Sequence, residues 1–346
     1  MPEVYVLVLN WNGWKDTIEC LESLFRLDYP NYKVIVCDNG SEDGSMEQIK
    51  AWADGNVDLI VQEDDPMHAY TFPPVPKPIR YVEYNREQAQ VGGDLSEAGC
   101  PLILIQTGEN LGFAGGNNVG LRYALARGDF DFVWLLNNDT VARADALSQL
   151  VTRSEQGSEV GICGSKLLYY HQPEKVEALG GGMYYPWLGM PRHIGAGEDA
   201  SQVVQPKHIE RKMTYVIGAS MLVRKSFLLD VGLMNEDYFL YFEDLDWALR
   251  ARGRYSLAYA PKSIVYHKEG SATGGDNRNP DARSRNADYY QIRNRVRVTK
   301  KFYPWALPGV YLGLTVTLLN RMRRRQWDRV GMILKLWRSG FEGQVY

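Results

Sequence analysis

Apolar residues run through the first half of the chain in short blocks, and each block ends in polar or glycine-bearing sequence. Val4-Tyr5-Val6-Leu7-Val8-Leu9 is continuous enough for a strand buried on both faces. It gives way to Asn10-Trp11-Asn12-Gly13, then to a segment from about Lys15 to Phe25 in which Ile18, Leu21, Leu24 and Phe25 share one helical face. Tyr29-Pro30 stops that helix. Further strands are predicted at 33–37, briefly near Leu59-Ile60-Val61, at 102–105 and at 132–136, with helical sequence between them. Strands alternating with helices predict an α/β fold with a mostly parallel sheet and right-handed crossovers.

In such a sheet, ligands gather beyond the carboxyl ends of the strands. Three apolar runs end directly in polar clusters: Asn10 with Asn12, Asp38 with Asn39, and Asn137-Asn138-Asp139. These clusters are expected to converge on one site.

The rhythm breaks at 62–101, where Pro66, Pro73, Pro74, Pro76, Pro78 and Gly92-Gly93 allow no sustained period. This segment reads as a surface excursion with a small hairpin around 79–84, either a recognition loop or a neutral insertion. Beyond Gly180-Gly181-Gly182 the pattern predicts loops and short strands, then a firm strand at 215–223. A helix starting near Glu243 and a strand at 263–266 follow.

Several of these segments carry residues suited to chemistry. Asn137-Asn138-Asp139-Thr140 offers a carboxylate beside two amides, which fits a divalent ion held against a diphosphate; it also fits an Asx-turn or helix cap. Asn110-Leu111-Gly112-Phe113-Ala114-Gly115-Gly116-Asn117-Asn118 opens a helix with glycines that let a ligand approach the backbone. It lacks GxGxxG spacing, which disfavours a dinucleotide fold. Glu243-Asp244 lies among Phe239, Tyr241, Phe242 and Trp247, so partial desolvation and like-charge crowding raise a carboxylate toward the range of a general base. His267 follows a strand and is either structural or a metal ligand.

Composition narrows the classes. Apolar residues make up 45% and charged residues 23% of 346, as in an ordinary folded protein. With 39 basic against 42 acidic side chains, nothing points to nucleic acid. Cys20, Cys37, Cys100 and Cys163 show no CxxC spacing, and no signal-peptide pattern precedes the first strand, so a cytoplasmic protein with reduced thiols is expected.

Taken in order, VLNWNG (8–13), CDNGSEDGS (37–45), NLGFAGGNN (110–118), LLNNDT (135–140), GASMLVRKS (218–226), YFLYFEDLDWALR (238–250) and VYHKEGSAT (265–273) resemble glycosyltransferase family 2. These are inverting enzymes of GT-A fold, and the likeness is to the bacterial rhamnosyltransferase-like group. YYQIRN (289–294) is similar to a segment of that group as well.

The resemblance implies that Asn10, Asn12, Asp38 and Asn39 surround the base and ribose of a nucleotide-sugar donor, with Gly112, Phe113 and Asn117 shaping the same pocket. Asp139 matches the metal-binding acid of a DxD-type motif whose first acid is here Asn137, with Asn138 between them. His267 matches a histidine that completes the Mg²⁺ or Mn²⁺ site in some relatives. Asp244 matches the catalytic base and Glu243 its companion. Arg293 is placed to add positive charge near the diphosphate, or else belongs to a solvated basic helix.

The expected organisation is a donor-binding region (1–225, including the 62–101 insertion), an acceptor and catalytic-base region (226–300) and a basic amphipathic helical tail (301–346). The tail's apolar stretch at 302–319 contains Pro304 and Pro308, which argues against a membrane-spanning helix. Arg321, Arg323, Arg324 and Arg325 with Val330, Ile333, Leu334 and Trp337 suit peripheral membrane contact or a helix docked on the enzyme. The expected activity is transfer to a glycan or lipid-linked glycan acceptor in surface polysaccharide synthesis. The donor is dTDP-rhamnose or a UDP-hexose, and the remaining alternative is a catalytically silent sugar-nucleotide binding module.

Overall fold

The computed structural model describes residues 1–59, 61–94, 99–268 and 284–342. The strands are β1 (Val4–Asn10), β2 (Tyr32–Asp38), β3 (Tyr81–Asn85), β4 (Leu102–Gln106), β5 (Phe132–Asn137), β6 (Thr140–Ala142) and β7 (Val160–Tyr169), then β8 (Gln172–Leu179), β9 (Gly181–Tyr185), β10 (Met190–His193), β11 (Tyr215–Val216), β12 (Ser220–Arg224) and β13 (Ser256–His267). The first six helices are α1 (Trp14–Leu24), α2 (Ser45–Ala53), α3 (His68–Thr71), α4 (Arg86–Gln90), α5 (Gly112–Arg127) and α6 (Ala146–Ser154). They are followed by α7 (Pro206–Glu210), α8 (Lys225–Val231), α9 (Glu243–Ala251), α10 (Arg285–Phe302), α11 (Leu307–Arg323) and α12 (Trp327–Arg338).

The main sheet runs β3-β4-β2-β1-β5-β12-β7-β13-β6, with β8 paired to β7. The half from β3 to β5 is parallel throughout. β12 then enters antiparallel between β5 and β7, and β13 joins parallel to β7. A small second sheet, β10-β9-β11, stands beside it. Both faces are covered: Val4, Val6, Val8, Val34, Val36 and Trp134 pack on one side, and Tyr5, Leu7, Ile35, Cys37 and Leu135 on the other. This two-sided burial is why the strands read as continuous apolar runs. All four cysteines are free and buried.

Three expectations change. The 62–101 segment is not a surface excursion with a hairpin, because Tyr81–Asn85 forms the sheet's edge strand, parallel to β4. Its terminus feeds α4 through a capping box between Asn85 and Gln88. Leu59 and Val61 lie outside any strand, and Ile60 is outside the described residues. The strand expected at 215–223 is two strands, β11 in the small sheet and β12 in the main one, parted at Ile217-Gly218-Ala219 where the chain crosses between sheets.

A buried acid ties the proline-rich segment down. Glu22, on α1, accepts from the Trp52 indole (2.8 Å) and the Val75 amide (2.8 Å) and pairs with Lys77 (3.2 Å) and Arg26 (3.0 Å). Arg26 also donates to the carbonyl of Pro73. Glu22→Ala is expected to cost about 3–5 kcal/mol, because it leaves buried donors and a cation without a partner. A thermal midpoint equal to the parent's would contradict this.

Candidate active site

The parallel register sets Asn10 opposite Asp38 and Leu9 opposite Asn137, so three polar strand ends lie side by side. Much of that polarity is spent within the protein. Asn10 donates to Asp38 (2.7 Å) and accepts from the Thr17 hydroxyl (2.8 Å). Asp38 also accepts from the Ser41 hydroxyl (2.6 Å) and amide (3.1 Å). Asn138 donates to Thr17 (3.1 Å) and to the Gly13 carbonyl (3.3 Å). Asn39 bridges onward, donating to Asn110 (3.1 Å) and accepting from the Leu111 amide (3.1 Å). These bonds knit the loops after β1, β2 and β4 into one rim.

Above that rim opens a cleft of about 1020 Å³. Asn39, Gly112, Phe113, Asn137, Asn138, Asp139, Glu243, Asp244 and His267 all lie on its wall. Asn10, Asn12, Asp38, Asn117 and Arg293 stand off it. Asn10 and Asp38 are buried behind the rim in each other's hydrogen bonds, Asn12 accepts from the Glu42 amide (2.8 Å), and Asn117 turns back onto the Phe113 carbonyl (2.9 Å). Gly112 has φ +71°, and a Cβ there would come within 2.4 Å of the Phe239 carbonyl oxygen. Only glycine permits this close crossing of the two loops.

One side of the cleft holds a buried chain of three groups. Because β13 pairs antiparallel with β6, His267 sits opposite Thr140 and beside Asp139. Its Nε2 lies 3.2 Å from Asp139 Oδ1, and its Nδ1 lies 2.8 Å from Glu177 Oε2, on β8. Burial works against an imidazolium, yet Glu177 and Asp139 together push His267 well above its ordinary range. Burial would likewise raise the Asp139 carboxyl, but the charge and hydrogen bond of His267, with Lys268 nearby, hold it below the usual value. Sequence alone did not single out Glu177. Among the described residues no group of three or more His, Cys, Asp or Glu is arranged to hold a metal ion. His267 stands between Asp139 and Glu177, and the Glu177 carboxylate orients the imidazole from behind.

The other side carries Glu243-Asp244 at the start of α9. A turn built from aromatic residues in left-handed conformation delivers them: Phe239 at φ 62°, Tyr241 at 67° and Phe242 at 72°. Bulky residues rarely hold this conformation unless their surroundings impose it. Here the Asn294 amide donates to the carbonyls of Tyr238 (2.9 Å), Leu240 (2.8 Å) and Tyr241 (3.0 Å). Arg293 donates to the carbonyls of Asp237 and Tyr238, and Tyr290 stacks on Phe239 at 4.7 Å. Arg293 thus directs its guanidinium into the turn rather than toward a diphosphate. Asp246, one turn into α9, is fully buried among Tyr238, Arg250 and Lys301.

Burial raises Asp244 to about 6, while the backbone N–H groups of Leu245 and Gly218 pull against that rise. Glu243 is pushed well above the carboxylate range by burial and then by the charge of Asp244. Glu243 Oε2 has no hydrogen-bond partner among the described residues. Burial and mutual charge thus push both carboxyls of the pair upward, Glu243 further than Asp244. The end of the VYHKEGSAT motif, 269–273, lies outside the described residues.

A family model described as glycosyltransferase like family 2 matches residues 80–286, and one described as glycosyl transferase family 2 matches residues 5–68. The chain is 27% identical over 250 residues to the N-acetylglucosaminyl-diphospho-decaprenol L-rhamnosyltransferase of Mycobacterium tuberculosis, covering 70% of this chain and 68% of that one. It is 26% identical over 149 residues to the low-salt glycan biosynthesis hexosyltransferase Agl10 of Haloferax volcanii, covering 43% of this chain. That match spans just under half, 45%, of the haloarchaeal protein. Among solved structures, the mannosyltransferase PcManGT from Pyrobaculum calidifontis, in complex with GDP-Man and Mn²⁺, superposes with a TM-score of 0.51 at 16% identity. The overlap covers 96% of this chain and 85% of that one. GalNAc-T7 with UDP, GalNAc and Mn²⁺ gives 0.54 at 12% identity, over 87% and 48%. These likenesses establish the GT-A fold.

Proposed function

The chain belongs to glycosyltransferase family 2, and from that premise we propose that it transfers a hexose from a nucleotide sugar to a hydroxyl of a glycan or lipid-linked glycan, inverting the anomeric centre. The observation that carries this reading is the placement of Glu243-Asp244 on the wall of the same cleft as the Asp139–His267 pair, with burial raising Asp244 to about 6. A silent binding module has no use for a buried acid dyad whose cost falls on stability.

In this reading Asp244 accepts the proton of the acceptor hydroxyl as that oxygen attacks the anomeric carbon from the face opposite the leaving group. Glu243, pushed well above the carboxylate range by burial and by the charge of Asp244, stands beside it as its companion. Asn137 and Asn138 face the diphosphate, while Gly112 and Phe113 shape the donor pocket. Asn39 braces that pocket through its bonds to Asn110 and Leu111. Asp139 and His267 fit a hard divalent ion, Mg²⁺ or Mn²⁺: one carboxylate and one imidazole nitrogen face the cleft, and Glu177 fixes the ring from behind. When bound, such an ion offsets the negative charge growing on the departing nucleoside diphosphate.

Support for a rhamnosyl donor comes from the mycobacterial relative, an L-rhamnosyltransferase, and from the motif pattern, and the same relative suggests a lipid-linked acceptor. Calorimetric titration with dTDP-rhamnose and a panel of UDP-hexoses, with and without Mn²⁺, tests the donor. We expect dTDP-rhamnose to bind only with the metal, and His267→Ala to weaken the metal's effect about 10–100-fold. Preference for a UDP-hexose would replace the donor. A folded protein that binds none of them would overturn the reading.

A further inference from the structure

We propose that the outer face of α11, together with the tip of the β9–β10 hairpin, docks on an anionic lipid surface and holds the cleft's mouth against it. The part concerning the acceptor rests on the reading above; the docking itself does not.

The inner face of α11 is accounted for, since Val310 and Leu314 pack with Ile292, Val296 and Ile333 in a small C-terminal core. Its outer face is not. Leu312, Val316 and Leu319 recur at helical spacing and are 68%, 51% and 58% exposed. The helix has 17 residues and no Asp or Glu, and among the described residues no helix is long and apolar enough to cross a membrane. An apolar stripe of this kind suits a helix lying in the plane of the interface.

The hairpin continues the stripe. Trp187 sits 5.2 Å from Trp305, which lies just before α11, and both are 55% exposed. Gly309 makes the contact close, for a Cβ there would meet the Trp187 carbonyl at 2.4 Å. Leu188 and Met190 extend the exposed apolar edge, and the next residues, Pro191 and His193, line the catalytic cleft. One ledge thus runs from the helix to the mouth of the site.

Two further features select a lipid surface as occupant. The chain has nine tryptophans, and five are exposed; two of these, Trp187 and Trp305, pair on this ledge. Such a pair of exposed amphipathic rings beside an apolar stripe matches the headgroup layer of a bilayer. The stripe also ends in Arg323, Arg324 and Arg325, all exposed, in a chain whose net charge is −3. Cations flanking apolar side chains complement anionic lipids.

The test is flotation of the full chain with vesicles of phosphatidylcholine mixed with phosphatidylglycerol, against phosphatidylcholine alone. We expect co-flotation with the anionic vesicles, weakened by salt, and quenching of tryptophan fluorescence by bromine-labelled lipid. L312D/L319D should lower partitioning by at least about tenfold, and R323Q/R325Q should remove the advantage of the anionic vesicles. Both variants should keep the parent's melting temperature and nucleotide-sugar binding, since these residues lie outside the cleft. Absence of flotation, or flotation of L312D/L319D equal to the parent's, would overturn the proposal. So would a dimer in solution that L312D/L319D splits while neither protein binds vesicles. Vesicle binding by a chain that takes no nucleotide sugar would leave the docking intact and refute the catalytic reading instead.

Discussion

Asp244→Asn is expected to lower turnover by about 10²–10⁴-fold, the usual contribution of a general base, with donor affinity unchanged. The amide keeps the size of the carboxyl and cannot accept the acceptor's proton. The pH profile supplies a second readout. With Asp244 raised to about 6 in the free protein, kcat/KM in the parent should climb as pH rises through that value and level off above it. Asp244→Asn should lose this limb. Stability should move the opposite way. Folding raises this carboxyl from 3.8 to about 6, so its contribution is fully present below 3.8 and is lost as pH rises through 6. The ionised group therefore burdens the fold at neutral pH, and Asp244→Asn should melt about 2–4 °C higher there, with no gain in acid. Full turnover by Asp244→Asn would remove Asp244 from the role of base.

Asn294→Leu should slow transfer by about 10–100-fold with little effect on donor binding. Asn294 touches no part of the cleft, but its amide holds three carbonyls of the turn that ends in Glu243-Asp244. Without those bonds Phe239, Tyr241 and Phe242 can relax from their left-handed conformations, and a displacement of about 1 Å at a reacting group costs about a hundredfold. The variant should also lose about 1–3 kcal/mol of stability, because buried carbonyls are left unpaired. A merely structural role would lower stability with kcat unchanged, so the two are measured together. A parent-like kcat in a destabilised Asn294→Leu would refute the positioning role.

The parallel half of the sheet was legible because its strands are buried on both faces and end in polar clusters. β3 was not: Tyr-Val-Glu-Tyr-Asn alternates weakly, sits on an edge and follows a run of prolines that masks its period. The break between β11 and β12 was hidden for the opposite reason, since Tyr215 to Val223 is apolar enough to read as one strand, and only the crossing between two sheets divides it. Asp139, His267, Glu243 and Asp244, which line one cleft, could be singled out because carboxylates and imidazole stand out after a strand or among aromatics. Glu177 was missed because the charged residues scattered through Gln-Pro-Glu-Lys-Val-Glu-Ala-Leu look like the wet face of a strand. In YYQIRN the charge of Arg293 drew attention toward a diphosphate, while the neutral neighbour Asn294 makes the fuller set of bonds to the turn. Asn10 and Asp38 lie at the expected strand ends, but their polarity is used in building the rim behind the cleft.

The dependence of the Glu243-Asp244 turn on Asn294 also has a consequence for biosynthesis. The amide that locks the turn is made 50 residues after Asp244 and 155 after Asp139. At about 5–20 residues per second, a ribosome needs about 8–30 s to pass from Asp139 to Asn294. Throughout that interval the parallel strands β1 to β5 are already made, yet the left-handed turn has no amide to hold it. The parallel half of the sheet is therefore complete in the nascent chain well before the acid dyad is set in place, and catalytic competence waits for α10.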